Sequence, residues 1–375
     1  MKQIFLTLLL GPLVPVPAPA EVTNALSSVQ ITIASGQRSG FQLAFQVGSR
    51  SAIATTLLPA GLFDPGVRAI LVVTVNGVPN VLMDGIVMRQ EFTPSNQPGQ
   101  GALTITGEDV SVMMGLIELK GIPYPAMSDE LRIAAILAKY AIFGVVPMVI
   151  PSLFPDLNLP IQRIDFQKGT DLDYINQLAK ENGYVFYVSA GPAPGMNLAY
   201  FGPEIRVGVP QPALNVNMDH ATNVESLSFS LDGSTREQLA IMIQEPLSKV
   251  NIPVPLPEIS PFAPPLALRS APALHFKFLE GAAKLNPARA IIAGMGKAIE
   301  SNDAVTASGQ LDVTRYGHVL AARQLVGVRG SGPAYDGLYY VKSVTHNIDA
   351  RKREYKQSFQ LARNGLISLT PVVAP

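Results

Sequence analysis

YDGLYYVKSVTHNIDARKREYKQSFQLARNGL, running from Tyr335 to Leu366, decides the fold. In its first half Leu338, Tyr340 and Val344 alternate in broad outline with Tyr339, Lys342 and Thr345. Tyr355, Gln357, Phe359 and Leu361 then share one face of a second run, and the stretch from Asn347 to Lys352 between them is polar and turn-like. Period-two patterning rich in aromatic and β-branched residues predicts a β-hairpin. The run contains no apparent reactive centre, so it reads as a surface made to pair, pack and meet a partner.

Working outward, the same period recurs. Val29, Ile31 and Ile33 alternate; GFQLAFQVG (Gly40–Gly48) follows a turn at Gly36. AILVVTVNGVPNVLMDGIVMRQEF (Ala69–Phe92) places two β-rich runs around Asn76-Gly77, the favoured two-residue hairpin turn. A polar turn at Asn96–Gly101 leads into Ala102–Thr106. The pattern changes near Asp109. Ser128 reads as an N-cap with Asp129 and Glu130 in the first turn, before Ile133, Ile136, Leu137 and Tyr140 at helical spacing. A second helix begins at Thr170, with Leu172, Ile175 and Ala179 on one face and Gly183 at its C-terminal end. Tyr184–Val188 and Asn197–Phe201 read as a hairpin, and strand signals resume at Val224–Leu231. Ile252–Pro272 is too rich in proline for a regular helix or a central strand and reads as a linker or, by preference, an extended arm. Asn286–Glu300 is a short helix with Pro287 in its first turn.

The fold class expected is therefore mainly β with an α+β insertion. Five segments are expected: 1–110, a first barrel-like strand domain; 111–202, the α+β insertion; 203–251, a strand-rich connection contributing to the barrels; 252–272, the arm; and 273–375, a second barrel-like domain.

Charged residues make up only 15% of the 375, and 47% are hydrophobic, which is apolar for a protein that keeps its surface in water. Obligate interfaces resemble a core cut in half, so coverage by other subunits explains the balance. There is no unbroken apolar run of about 20 residues, which argues against a spanning helix. With 28 basic and 28 acidic residues, nothing suggests an electrostatic footprint for nucleic acid or an anionic membrane. The absence of cysteine excludes disulfides and thiolate metal sites. At the N-terminus, Lys2, the apolar Ile4–Leu10 and Ala18-Pro19-Ala20 approximate a secretory signal. Against that, the run is short and Pro12, Pro15, Pro17 and Pro19 follow in alternation, so a strand ending in a proline arm is the other reading.

No constellation for chemistry survives inspection. His220, His275, His318 and His346 belong to no paired metal-ligand pattern, and His346 reads as a strand cap or a solvent-facing residue. Gly294-Met-Gly-Lys297 lacks the earlier glycine and the following hydroxyl of a phosphate loop, since Ile291 and Ala298 stand there. Gly327–Gly332 has the wrong spacing for a dinucleotide fingerprint and reads as a tight turn between strands. Asp171 and Asp173 do not face each other on a helix and read as capping residues. Arg351, Lys352 and Arg353 form a basic turn, solvated or in ionic contact with a neighbouring subunit. No catalytic, cofactor-binding or metal residue is assigned, no cofactor is expected, and an enzyme is not.

The block Leu311–Leu366, LDVTRYGHVLAARQLVGVRGSGPAYDGLYYVKSVTHNIDARKREYKQSFQLARNGL, closely resembles the late-control D family, the baseplate hubs of contractile phage tails and related injection particles. GPLVPVPAPAEVTNALSSVQIT with the following SGFQLAFQVG is similar to the start of hubs from extracellular contractile injection systems. The resemblance implies a homotrimer in which each protomer carries two similar small β-barrels. Three copies then make a pseudo-sixfold ring between a sixfold inner tube and a threefold spike, with baseplate wedge proteins alongside. It implies assembly in the bacterial cytoplasm into a phage tail or a released particle, and a retained N-terminus. No repetitive strand extension follows the last hairpin, so the spike is expected to be a separate trimeric polypeptide. The alternative is an exported β-rich envelope protein with a cleaved N-terminus.

Overall fold

In chain order, the first part of the molecule comprises β1 (Ile4–Gly11), β2 (Val16–Pro17), α1 (Ala20–Ala25), β3 (Leu26–Ala34), β4 (Gly40–Val47), β5 (Arg68–Val75), β6 (Val78–Thr93) and β7 (Gly101–Asp109). The computed structural model describes residues 4–97, 99–152, 165–234, 236–244, 251–256, 260–278, 287–370 and 373. Asn286, position 98 of the Asn96–Gly101 turn and residues 257–259 of the proline-rich arm lie outside them. The Ile4–Leu10 run is a strand: β1 pairs antiparallel with β5 from Ile4↔Val75 to Gly11↔Arg68 and buries Leu8 and Leu10. Asn76 and Gly77 both have positive φ, 52° and 85°, the geometry of the predicted two-residue turn joining β5 to β6.

Next come β8 (Pro123–Tyr124), α2 (Asp129–Ala138), β9 (Val145–Val149), β10 (Asp165–Phe166), α3 (Asp171–Glu181), β11 (Val185–Ala190) and β12 (Asn197–Gly202). Ser128 caps α2, and Thr170 caps α3 through a capping box with Asp173. Both helices lay their apolar stripes on the three-stranded sheet β11-β12-β9, giving a core of its own around Ile133, Leu137, Ile175, Leu178 and Phe201.

The remainder is β13 (Gln211–Asn215), β14 (Val224–Leu231), β15 (Glu237–Gln244), β16 (Asn251–Pro255), β17 (Ala267–Ser270), β18 (His275–Phe278), α4 (Pro287–Ser301), β19 (Val305–Asp312), α5 (Val313–Tyr316), β20 (Leu325–Arg329), β21 (Gly337–Asp349), β22 (Glu354–Arg363) and β23 (Gly365–Ser368). The described part of the proline-rich stretch runs along the surface as short edge strands, β16 on β15 and β17 on β23, and buries Leu256, Leu266 and Ala267.

Among the described residues a 13-stranded sheet joins the two parts of the chain, in the order β14-β19-β22-β21-β3-β4-β7-β6-β5-β1-β2, with β20 on β21 and β13 on β20. Its two halves repeat one antiparallel pattern, β3-β4-β7-β6-β5 in the first and β14-β19-β22-β21-β20 in the second. Two irregularities repeat as well, although the shift at Leu71/Val72 between β5 and β6 has no counterpart between β20 and β21. A register shift at Leu26/Ser28 in β3 recurs at Val224/Ser226 in β14, and one at Val87/Arg89 in β6 recurs at Val341/Ser343 in β21. Val87 exchanges backbone bonds with Gly66 and Val67 just as Val341 does with Arg323 and Gln324. The outermost strands differ, since β1 is antiparallel to β5 and β13 is parallel to β20. Among the described residues neither half closes into a hydrogen-bonded barrel, so the barrel-like expectation takes the form of two open halves sharing one core.

The second bulge explains the imperfect alternation of Leu338–Thr345. An extra residue at Lys342 switches the inward parity, so Tyr339 and Val341 point into the core before it and Val344, His346 and Ile348 after it. The predicted turn is also shorter than the polar run, because Asn347–Asp349 continue β21 and β22 starts at Glu354. Tyr355, Gln357, Phe359 and Leu361 all face inward, as their spacing predicts.

Candidate interaction surfaces

The seam between the halves is the antiparallel pair β3·β21, from Ser28↔Asp349 to Ala34↔Ser343. Backbone bonds from Ala350 to Ser27 and from Ser35 to Lys342 bracket it, at 3.0 and 2.8 Å. Thr32 and Thr345 face each other across it with hydroxyls 3.2 Å apart. On the other face Ile31 meets His346, which is buried rather than solvent-facing. Its Nδ1 lies 2.7 Å from the Tyr355 hydroxyl and 3.3 Å from Gln357 Nε2. Burial pushes the imidazole down to about 4, so it stays neutral near pH 7.

Buried guanidinium groups hold the surrounding pieces together. Arg68 donates to both oxygens of Asp84, at 2.7 and 2.6 Å, and to the carbonyls of Leu13, Phe143 and Gly195. Asn197 Nδ2 donates to the same Asp84 at 2.9 Å, so one cluster ties the first half of the sheet to the α+β unit. Arg206 donates to both oxygens of Asp303, and Lys342 pairs with Asp303 at 2.7 Å. Burial opposes the charge on Asp303, but Arg206 and Lys342 overcome it and hold the carboxyl below its usual range. The arginine–aspartate pairs are buried and doubly hydrogen-bonded, and they act as structural clamps.

Asp173 is the capping residue its position predicts. Asp171 does something else: it is buried and accepts from Tyr140 at 2.7 Å and Gln167 at 2.6 Å, with Lys139 at 2.6 Å. Gly294 and Gly296 belong to α4, where they serve close packing. A Cβ on Gly296 would lie 2.6 Å from the Gly183 carbonyl oxygen. Gly330 and Gly332 form the turn after β20 with φ of 88° and 92°. His220, His275 and His318 are exposed on separate elements. Arg351–Arg353 form an exposed turn, with Asp349 accepting from the amides of Arg351 and Lys352 and Arg351 reaching Gln46. Among the described residues no three His, Cys, Asp or Glu side chains gather as a metal site, and no helix is long and apolar enough to cross a membrane.

Large apolar side chains instead stand at strand edges: Val146 and Met148 on β9, Phe276 and Phe278 on β18, Phe92 on β6 and Leu231 on β14. Exposed strand edges with apolar side chains are templates for pairing with another chain. Composition points to a need for coverage but does not place these residues.

No protein-family model matches the chain, and no curated protein matches it. Solved structures do. A tail protein from Neisseria meningitidis is 14% identical and has a TM-score of 0.62, with 97% of this chain and 98% of that one covered. A chain of the Francisella PdpA-VgrG complex is 7% identical with a TM-score of 0.61, covering 100% of this chain and 54% of that one. An E. coli component of the type VI secretion system, described as similar to the T4 tail proteins gp27 and gp5, is 11% identical with a TM-score of 0.51, covering 93% and 77%. At these identities the likeness is one of fold, and over nearly its whole length the chain has the fold of phage-tail and type VI secretion proteins.

Proposed function

We propose that the chain is the baseplate hub of a contractile injection particle, a structural and non-enzymatic homotrimer that joins a sixfold inner tube to a threefold spike. The observation that carries this reading is the internal repeat. Two five-strand units with the same order and the same two bulges let three chains present six similar units. The fold shared with tail and secretion proteins supports it, as does the late-control D resemblance of Leu311–Leu366. One face of the seam is polar, with uncharged Gln30, Thr32, Gln42, Thr345, Ser358 and Gln360 flanked by Asp349 and Lys356, and such a face suits the wall of a water-filled channel. The spike, inner-tube or tube-initiator subunits and baseplate wedge proteins are the partners expected, with assembly in the bacterial cytoplasm.

Electron microscopy of the native particle tests the assignment. The subunit is expected as a trimeric ring between tube and spike. Its location elsewhere in the particle, or its absence from a particle, overturns the reading.

A further inference from the structure

The seam between β3 and β21 has a pair of counterparts that, among the described residues, do not pair with each other or with any further strand on that side. By the internal repeat, β14 is the counterpart of β3 and the far end of β6 is the counterpart of the far end of β21. The bulges fix the correspondence residue by residue: Ser228 stands for Gln30, Phe229 for Ile31 and Leu231 for Ile33, while Arg89 stands for Ser343, Glu91 for Thr345 and Phe92 for His346. Among the described residues β14 pairs only with β19, and β6 beyond Val87 pairs only with β7. Burial reflects this difference. Residues 344, 346 and 348 are buried, whereas Met88–Gln97 of the first half are exposed throughout. Phe92 is 46% exposed where His346 is 2%.

We infer that β14 of one copy adds antiparallel to residues 89–93 of β6 in the next copy, in the register that β3 and β21 use inside one chain. This deepens the trimeric hub reading and rests on it. In that register Phe229 lies opposite Phe92, and Ser230 opposite Glu91. Leu231 lies opposite Gln90, and Asp232 opposite Arg89, so opposite charges meet at one end. Pro94 stands for Ile348, an amide-bonded position of the intrachain seam, and has no N–H to give, so this ladder ends there. Every seam around the ring is then of one kind, alternating between strands of one chain and strands of two.

Thr32 and Thr345 form a non-hydrogen-bonded pair, where the Cβ atoms of opposed residues come closest. Their counterparts are Ser230 and Glu91, both exposed, and the chain has no cysteine of its own. The test is mild oxidation of the full-length Glu91→Cys/Ser230→Cys variant beside Glu91→Cys/Ser226→Cys, which is out of register, with the native mass of each read before oxidation. A covalent species of three chains from the first variant only, and no cross-link from either single variant, is the expected result. A trimer by native mass that cross-links through the out-of-register pair, or through neither, overturns the register and leaves the hub reading standing. A monomer by native mass overturns the hub reading itself. A second variant, Phe92→Asp, is expected to keep its circular dichroism spectrum and lose the trimer, and an unchanged trimer counts against this seam.

Discussion

His346 shows how a residue's place in the sheet sets its chemistry. Protonation is disfavoured in the folded state, with the imidazole at about 4 against an ordinary value near 6.5, because burial strips the cation of water. Between these two values the unfolded chain binds more protons, so stability is complete above pH 6.5 and falls as pH drops towards 4. We expect unfolding at pH 5 to take about 2 kcal/mol less than at pH 7 from this group. Denaturant titrations should show a smaller difference in His346→Gln. Arg68 makes a second case. Arg68→Ala leaves Asp84 buried without its bidentate partner, and we expect a loss of about 3–5 kcal/mol in chemical denaturation. A loss under 1 kcal/mol would show that the cluster does not clamp the two units. Neither role was legible in the sequence. The parity of His346 is switched by the bulge at Lys342, and the partners of Arg68 come from Leu13, Asp84, Phe143 and Gly195, which only the fold brings together.

At the level of elements, local signals were strong wherever they involve neighbours in sequence. The Asn76-Gly77 turn, the caps at Ser128 and Thr170, the β14 strand and the α4 helix all stand where their residue patterns place them. The Ile4–Leu10 run was ambiguous because a short apolar segment before prolines suits a signal as well as a strand, and the fold adds its pairing with β5. Intact-mass measurement of the native protein is therefore expected to retain these residues, and loss of the first 20 would favour the exported reading. The role of Gly183 and Gly296 was equally hidden, since their contact joins the end of α3 to α4. Gly296→Ala puts a methyl 2.6 Å from the Gly183 carbonyl oxygen, and we expect a destabilisation of about 1–3 kcal/mol in thermal or denaturant unfolding. An unchanged midpoint would mean that the two helices can part at no cost.

For the whole molecule, the strand content and the α+β insertion were visible in hydrophobic period, and the hub resemblance in the C-terminal block. The repeat was implied by that resemblance and not by the residues themselves, because its halves share pairing pattern and bulges but hardly any residues: Phe92 matches His346, and Gln90 matches Val344. The chain's low charge takes on a specific meaning with the fold in view, as apolar side chains collect on edges that one copy leaves bare. In the proposed hub, three copies complete the edges at β14 and at residues 89–93 of β6. Native mass spectrometry of the purified full-length chain tests it most directly. A species of three chains that persists on dilution is the result predicted here, and a monomer at high concentration, or a closed dimer, would contradict it.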